Sequence, residues 1–453
     1  MAPEVGQHTA GPILATGGGT IVRLRQRPMR ITQTRHFRGR FTLPGDKSLS
    51  HRLAILGALA HGESRLTNFS TADDCAATLR CLEALGVEAR HQDRSVVVVG
   101  RGPESLRASA APLDAANSGS TLRMLAGVVA ARPFRTVLTG DASLRRRPVE
   151  RVAEPLRMMG ARLSSSEGRP PLVIEGGPLK AMTWAMTTPS AQVKSAVLLA
   201  ALQAEGRTTV VEPAATRDHT ERLLPAFGVP VEVKGAAVSV QGGATLHPVA
   251  FDVPGDVSSA AFLVVAGLIV PDAFVHIENV LLNPRRTAFL DVLRRMGAHV
   301  ETGIRTEDPE PVGWIEARSS RLAGTEVGAE EVPALIDEVP ILAVAAALGH
   351  GELVVRGAAE LRVKESDRIA TLAEGLRRMG GVVDEHPDGL TVHGQAKLTG
   401  ASVRSHGDHR IAMALAIAGL AAHGETEIED AGCIAVSFPE LPSLLDRGRQ
   451  AER

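Results

Sequence analysis

Residues 376–383, Leu-Arg-Arg-Met-Gly-Gly-Val-Val, read as the end of one helix and the beginning of one strand. Gly380 is the residue a helix wants just past its end, where the chain turns left-handed, and the β-branched pair after it favours an extended chain. The same phrase, Leu-x-x-hydrophobic-Gly-x-x-hydrophobic, recurs at 82–89, 156–163, 224–231 and 293–300, with Gly86, Gly160, Gly228 and Gly297 in the equivalent place. Charges such as Arg294, Arg295, Arg377 and Arg378 make these helices amphipathic, so one face meets water.

Between the phrases runs a second set of helices, rich in Ala, Leu and Val on every side, at 52–66, 121–138, 193–211, 258–277, 341–355 and 410–428, each passing into a β-rich stretch. A helix apolar all round must be buried. Each unit is thus helix, strand, helix, strand, about 70 residues long, and six units fill the chain, the last without a clear closing strand. A unit of this size cannot cover its own buried helix, so units must cluster. Six divide into two groups of three, and the joint falls at 252–256, Asp-Val-Pro-Gly-Asp, which matches 43–46, Leu-Pro-Gly-Asp.

Composition narrows what such a molecule does. The 453 residues are 44% hydrophobic and 22% charged, too long for one core. Fifty basic against 51 acidic side chains leave a net charge of −1, so no long-range field draws nucleic acid or an anionic membrane. Aromatics make up only 3% and tyrosine is absent, which leaves few platforms for nucleobases. Cys75, Cys81 and Cys433 form neither a metal spacing nor a disulfide framework, as expected in a reducing cytoplasm. No apolar run reaches the ~20 residues of a membrane span. Residues 1–30 read as a flexible extension, and the triplet 17–19, Gly-Gly-Gly, lacks the Gly-Lys-Ser/Thr of a phosphate loop.

The chemistry is written at helix starts. At 43–52, Leu-Pro-Gly-Asp-Lys-Ser-Leu-Ser-His-Arg, a Pro-Gly turn delivers Lys47, Ser48 and Arg52 to the first turns of a buried helix, where free N–H groups and a positive dipole end favour an anion. Polar turns precede the other buried helices at 117–120, 190–192, 255–258, 337–338 and 408–410. If the three helices of each group run alike, two positive ends face one another across a cleft suited to a polyanionic substrate. Lys47, Arg52, Arg147, Lys194, Arg217, Lys364, Arg368 and Arg410 are the candidate cations, while Arg145, Arg146, Arg285 and Arg286 read as solvated. Asp337 and Glu365 stand among them as a candidate general base and general acid, with the roles open between them. His406, Asp408 and His409 lack a further ligand for a metal site, and 45–48, Gly-Asp-Lys-Ser, has Asp where a nucleotide loop needs Gly.

Over residues 38–445 these motifs resemble the 5-enolpyruvylshikimate-3-phosphate synthase family, the 3-phosphoshikimate 1-carboxyvinyltransferases. The resemblance is carried by 43–52, by Asn-Ser-Gly-Ser-Thr-x-Arg at 117–123, Arg-Arg-Pro at 146–148, Arg-Val-Lys-Glu-Ser-Asp-Arg at 362–368 and Asp-His-Arg at 408–410. It implies a two-domain inverse α/β barrel, each domain built from three βαβαββ units with buried parallel helices. Residues 31–45 plus 253–453 would form one domain, closed by the N-terminal strand, and 46–252 the other.

By the same resemblance, shikimate 3-phosphate meets Lys47, Ser48, Arg52, Ser190, Ala191, Gln192, Arg217, Asp337 and Lys364. Phosphoenolpyruvate meets Lys47, Gly119, Arg147, Gln192, Arg368 and Arg410. Asp337 then takes the proton of the 5-hydroxyl, Glu365 handles the methylene proton, and neither cofactor nor metal takes part. The implied partners are these two small molecules only, bound by a cytoplasmic monomer. Ala191 replaces a serine of one branch, Val436 stands where many relatives carry a phosphoenolpyruvate-binding lysine, and Gly119 is the residue that glyphosate-insensitive relatives replace by alanine. A sister enzyme acting on UDP-N-acetylglucosamine carries a cysteine where Ala142 stands here, and a non-catalytic polyanion-binding scaffold is the rival of another class.

Overall fold

The computed structural model describes residues 28–395 and 397–451. Every glycine of the repeated phrase turns left-handed, with φ of +90° at Gly86, +111° at Gly160, +83° at Gly228, +86° at Gly297 and +89° at Gly380. Each one ends an outer helix and opens a strand, as where Ala288–Arg295 gives way to His299–Thr306 and Arg368–Arg378 to Val382–His386. The inner helices are Lys47–Leu59, Gly119–Val129, Ala191–Ala201, Val257–Ile269, Val339–Ala347 and His409–Ala421, buried on all sides beyond their first turns.

Among the described residues six sheets accompany them, five of four strands and one of three. In the unit that holds Gly119–Val129, Leu113–Asp114 lies parallel to Arg135–Thr139, which pairs antiparallel with Arg169–Glu175, itself the partner of Arg162–Ser166. The other four-stranded sheets share this plan. Each unit is therefore βαβαββ, which corrects the helix-strand-helix-strand pattern read from the phrase alone. Leading strands of two or three residues leave too little sequence to show a period.

In the sixth unit no hairpin follows Leu441–Gln450 among the described residues, and Met29–Thr32 pairs antiparallel with Glu425–Glu429. Of the expected extension, residues 1–27 with the triple glycine lie outside the described residues, whereas Met29 and Arg30 already sit in register with Ile428 and Glu427.

The units form two triplets. Lys47–Leu59 packs on Gly119–Val129, which packs on Ala191–Ala201, and the other three inner helices pack on one another. Gly127 allows the closest approach, since a Cβ there would lie 2.0 Å from the carbonyl oxygen of Ala196. Each Leu or Val buried this way contributes about 1.5–3 kcal/mol.

The triplets exchange strands. Arg38–Thr42 lies parallel to Phe274–Leu281 in the second triplet, and Ala250–Asp252 lies parallel to His61–Thr67 in the first. The chain therefore passes between triplets twice, and the two Pro-Gly joints cross side by side. Asp46 N donates to Pro254 O at 2.7 Å and Asp256 N to Pro44 O at 3.1 Å. A Cβ on Gly45 would lie 1.9 Å from Asn68 O, so the crossing admits only glycine there. This is a two-domain α/β fold. Among the described residues no helix is long and apolar enough to cross a membrane.

Candidate active site

Five of the six inner helices begin with a side-chain cap. Asp46 accepts from Leu49 N, Ser118 from Thr121 N, Ser190 from Val193 N, Asp256 from Ser258 N and Asp408 from Arg410 N. Caps of this kind consume some of the free N–H groups of a helix start and fix its direction. Residues at the starts of all six line one cavity of about 430 Å³. The two positive ends face each other, as the helix-start reading required.

All fourteen residues named for substrate contact or catalysis line this cavity: Lys47, Ser48, Arg52, Gly119, Arg147, Ser190, Ala191, Gln192, Arg217, Asp337, Lys364, Glu365, Arg368 and Arg410. Lys194 does not. Its ammonium group is buried beneath the cleft, 2.9 Å from Glu212 Oε2 and 2.6 Å from Glu221 Oε1. The solvated reading holds for the exposed Arg145 and Arg146 but fails for Arg286. Arg286 is 2% exposed and reaches Asp46 at 3.0 Å and Asp256 at 3.5 Å, tying together the caps at the two chain crossings. Arg285 is half-buried and spans the two triplets, reaching Glu212 Oε2 at 3.4 Å.

Three carboxylates meet on one guanidinium. Arg368 donates from Nη2 to Glu365 Oε2 at 2.5 Å, from Nη1 to Asp337 Oδ1 at 3.2 Å and from Nε to Asp408 Oδ2 at 2.9 Å. Arg147 donates to Glu365 Oε1 at 3.1 Å and Arg217 to Asp337 Oδ2 at 2.6 Å, both across the cleft. Burial alone would push both acids up. For Asp337 the charges of Arg410, Arg217, Lys364 and Arg368 outweigh burial and hold the carboxyl well below the usual range. For Glu365 those of Arg368 and Arg147 do the same. Both are ionised at neutral pH.

The cations are kept charged by similar means. Burial works against Lys47, but Asp74 at 3.0 Å overcomes it and raises its pKa. Lys364 has less support, with Glu360 at 3.9 Å, and burial pulls its pKa down. Arg52 donates to Ser48 O, Ser195 Oγ and Thr220 Oγ1, and burial lowers its pKa to about 10.

Sequence reading missed Arg123, Arg151 and Asp74 as lining residues. Arg123 fixes Gln192 by donating to its Oε1 at 2.7 Å, while Gln192 Nε2 donates to Ser120 Oγ at 2.9 Å. A signal for Arg123 existed, because it stands four residues past Gly119 as Arg52 stands four past Ser48, on one helix face. Arg151 gave no local signal; it pairs with Glu360 across the cleft at 2.8 Å. His406 pairs with Glu374 at 3.0 Å and Asp408 with Arg368, so two of the three residues weighed as metal ligands are separately employed, and both ring nitrogens of the buried His409 are without a hydrogen-bond partner among the described residues. Val436 is half-buried in the turn Ala431–Val436 and does not line the cavity.

Comparison with known proteins bears on this arrangement. The family described as EPSP synthase (3-phosphoshikimate 1-carboxyvinyltransferase) matches residues 31–445. The chain is 49% identical over 422 residues to the 3-phosphoshikimate 1-carboxyvinyltransferase of Desulforudis audaxviator, covering 92% of this chain and 98% of that one. It is 51% identical over 413 residues to that of Carboxydothermus hydrogenoformans, covering 90% and 96%. An EPSP synthase structure from Acinetobacter baumannii superposes with a TM-score of 0.83 at 42% identity, over 93% of this chain and 98% of that one. The enolpyruvyl transferase NikO from Streptomyces tendae shares the fold, with a TM-score of 0.77 at 20% identity, over 93% and 98% of the two chains.

Proposed function

The chain belongs to the EPSP synthase (3-phosphoshikimate 1-carboxyvinyltransferase) family, and from that premise we propose how its cleft works. The reaction transfers the enolpyruvyl group of phosphoenolpyruvate to the 5-hydroxyl of shikimate 3-phosphate with release of phosphate. Lys47, Ser48, Arg52, Ser190, Ala191, Gln192, Arg217 and Lys364 hold shikimate 3-phosphate. Ala191 contributes through the backbone N–H of a helix start, the one donor an alanine has. Lys47, Gly119, Arg147, Gln192, Arg368 and Arg410 hold phosphoenolpyruvate, the arginines pairing its phosphate and carboxylate in two-pronged fashion.

Binding itself readies the acids. Arg147 and Arg368 grip Glu365, and Arg368, Arg217 and Arg410 lie against Asp337. When the anionic groups of the substrates take those cations over, both carboxyls lose the charge that depressed them and their proton affinities rise. Asp337 then accepts the 5-hydroxyl proton as the oxygen adds to C2, and Glu365 delivers a proton to C3. The tetrahedral intermediate collapses as Glu365 takes a proton back from C3, the C2–C3 double bond re-forms, and the phosphate leaves onto Lys47 and the arginines. The remaining carboxylates face the positive charge that develops at C2.

The observation that carries this reading is the meeting of Asp337 and Glu365 on Arg368, between helix starts of opposite triplets. We assign residues 31–45 plus 253–453 and 46–252 as the two domains that close on the substrates, and place the enzyme in the cytoplasm as a monomer. Phosphate release tests the reading directly. It is expected from shikimate 3-phosphate and phosphoenolpyruvate together and absent when either is omitted, and Gly119 makes glyphosate an expected inhibitor of it. Release with UDP-N-acetylglucosamine in place of shikimate 3-phosphate, or no release at all, would refute it.

A further inference from the structure

We infer that Arg285 is a positioning residue that completes the shikimate 3-phosphate site only when the two domains are closed, by fixing from the opposite domain the loop that carries Arg217. The inference rests on the reading above that Arg217 binds shikimate 3-phosphate.

Residues 212–218 link the strand Arg207–Val211 to the short helix His219–Leu223. Within its own domain the loop is tied to Glu212, whose Oε1 accepts from Thr216 N at 3.1 Å and from the Thr216 hydroxyl. The other oxygen, Oε2, takes the buried Lys194 ammonium at 2.9 Å. Arg285 comes to the same loop from the opposite domain. Its Nη1 donates to Thr216 O at 2.8 Å and lies 3.4 Å from Glu212 Oε2, and its Nε lies 3.5 Å from Asp218 Oδ2. Asn283 braces it from behind, accepting from Arg285 N at 2.8 Å while its amide donates to Asp218 Oδ1 at 2.7 Å.

Both chain neighbours of Arg217 are thus gripped from across the cleft, and Arg217 itself reaches across to Asp337. Arg285 does not line the cavity, so any effect it has on substrate must pass through another residue. When the domains part, Thr216 O and Asp218 lose these partners, and the loop keeps Glu212 at its start and Arg222, 2.9 Å from Asp218 Oδ2, at its end. A planar guanidinium spans a carbonyl and a carboxylate at once, whereas a lysine meets one of them.

Steady-state kinetics on the full-length protein test this. Arg285→Ala is expected to raise the KM for shikimate 3-phosphate about tenfold while the KM for phosphoenolpyruvate stays within about twofold, and Arg285→Lys is expected to recover only part of the loss. In an Arg217→Ala background, Arg285→Ala is expected to add nothing, because it acts through the missing side chain. A full additional loss there, or an unchanged KM for Arg285→Ala while Arg217→Ala raises it, overturns the positioning role. No change with Arg217→Ala itself overturns the substrate reading of Arg217. Should Arg285→Ala fail to fold, Asn283→Ala, which removes the brace and leaves the guanidinium, is put through the same comparisons.

Discussion

Glu365 shows how one side chain serves two states. Between Arg147 and Arg368 it sits ionised and paired, a poor proton donor. Neutralising those arginines with substrate turns it into an acid. Glu365→Gln keeps the shape but leaves one acceptor oxygen for the two arginines and has no proton to give. Its kcat is therefore expected to fall by about 10²–10⁴ while the dissociation constant of shikimate 3-phosphate, measured by calorimetry, stays within a few-fold. A kcat within a factor of a few of the parent would rule out proton transfer by Glu365. At this scale much of the site was legible, because Lys47, Arg147, Arg368 and Arg410 stand where helices begin, and helix starts can be found from local sequence. What defeated the reading was partnership. Lys194 looks like a cleft cation until Glu212 and Glu221 are seen to enclose it, and Arg286 looks solvated until Asp46 and Asp256 arrive from the two chain crossings.

Elements in this molecule are chosen for how closely they approach, and intrinsic preference is secondary. Alanine is a better helix former than glycine by about 1 kcal/mol, so Gly127, mid-helix in Gly119–Val129, ought to welcome replacement. Packing says otherwise, since the added Cβ would come within 2.0 Å of the Ala196 carbonyl, backbone that cannot swing away. At Gly160, a helix end with φ of +111°, a new Cβ meets nothing nearer than 3.5 Å, and only the left-handed backbone objects. Gly127→Ala is expected to lower unfolding stability by about 1–3 kcal/mol or more, and Gly160→Ala by about 1–2 kcal/mol. Urea unfolding of the two variants checks this, and a Gly127→Ala protein as stable as the parent would contradict the tight helix contact. The repeated phrase made these elements legible, because a left-handed glycine is needed five times in the same place. The leading strands, such as Leu113–Asp114, were illegible, being defined by their neighbours rather than by their own residues.

Across the whole molecule, the closed arrangement is held by charges that the substrates will later claim. Arg147–Glu365, Arg151–Glu360 and Arg217–Asp337 each pair a cation of one triplet with an anion of the other. Salt shortens the reach of such attractions, from about 10 Å at 0.1 M to about 3 Å at 1 M. The radius of gyration of the ligand-free protein, from X-ray scattering, is therefore expected to rise between 0.05 M and 1 M sodium chloride. The rise should be smaller with shikimate 3-phosphate and glyphosate present. A flat response without ligand would show that apolar contact, not these pairs, keeps the cleft shut.

The double crossing beside Gly45 and Gly255 also governs how such a chain is made. Met29–Thr32 and Arg38–Thr42 are made before any strand of the first triplet, yet their partners lie in Glu425–Glu429 and Phe274–Leu281 and do not exist until hundreds of residues later. The triplet between the crossings has all its strands as soon as Ala250–Asp252 emerges. One half can thus fold while the other waits with its opening strands unpaired, and Glu425–Glu429, made late, closes a sheet that Met29–Thr32 began early.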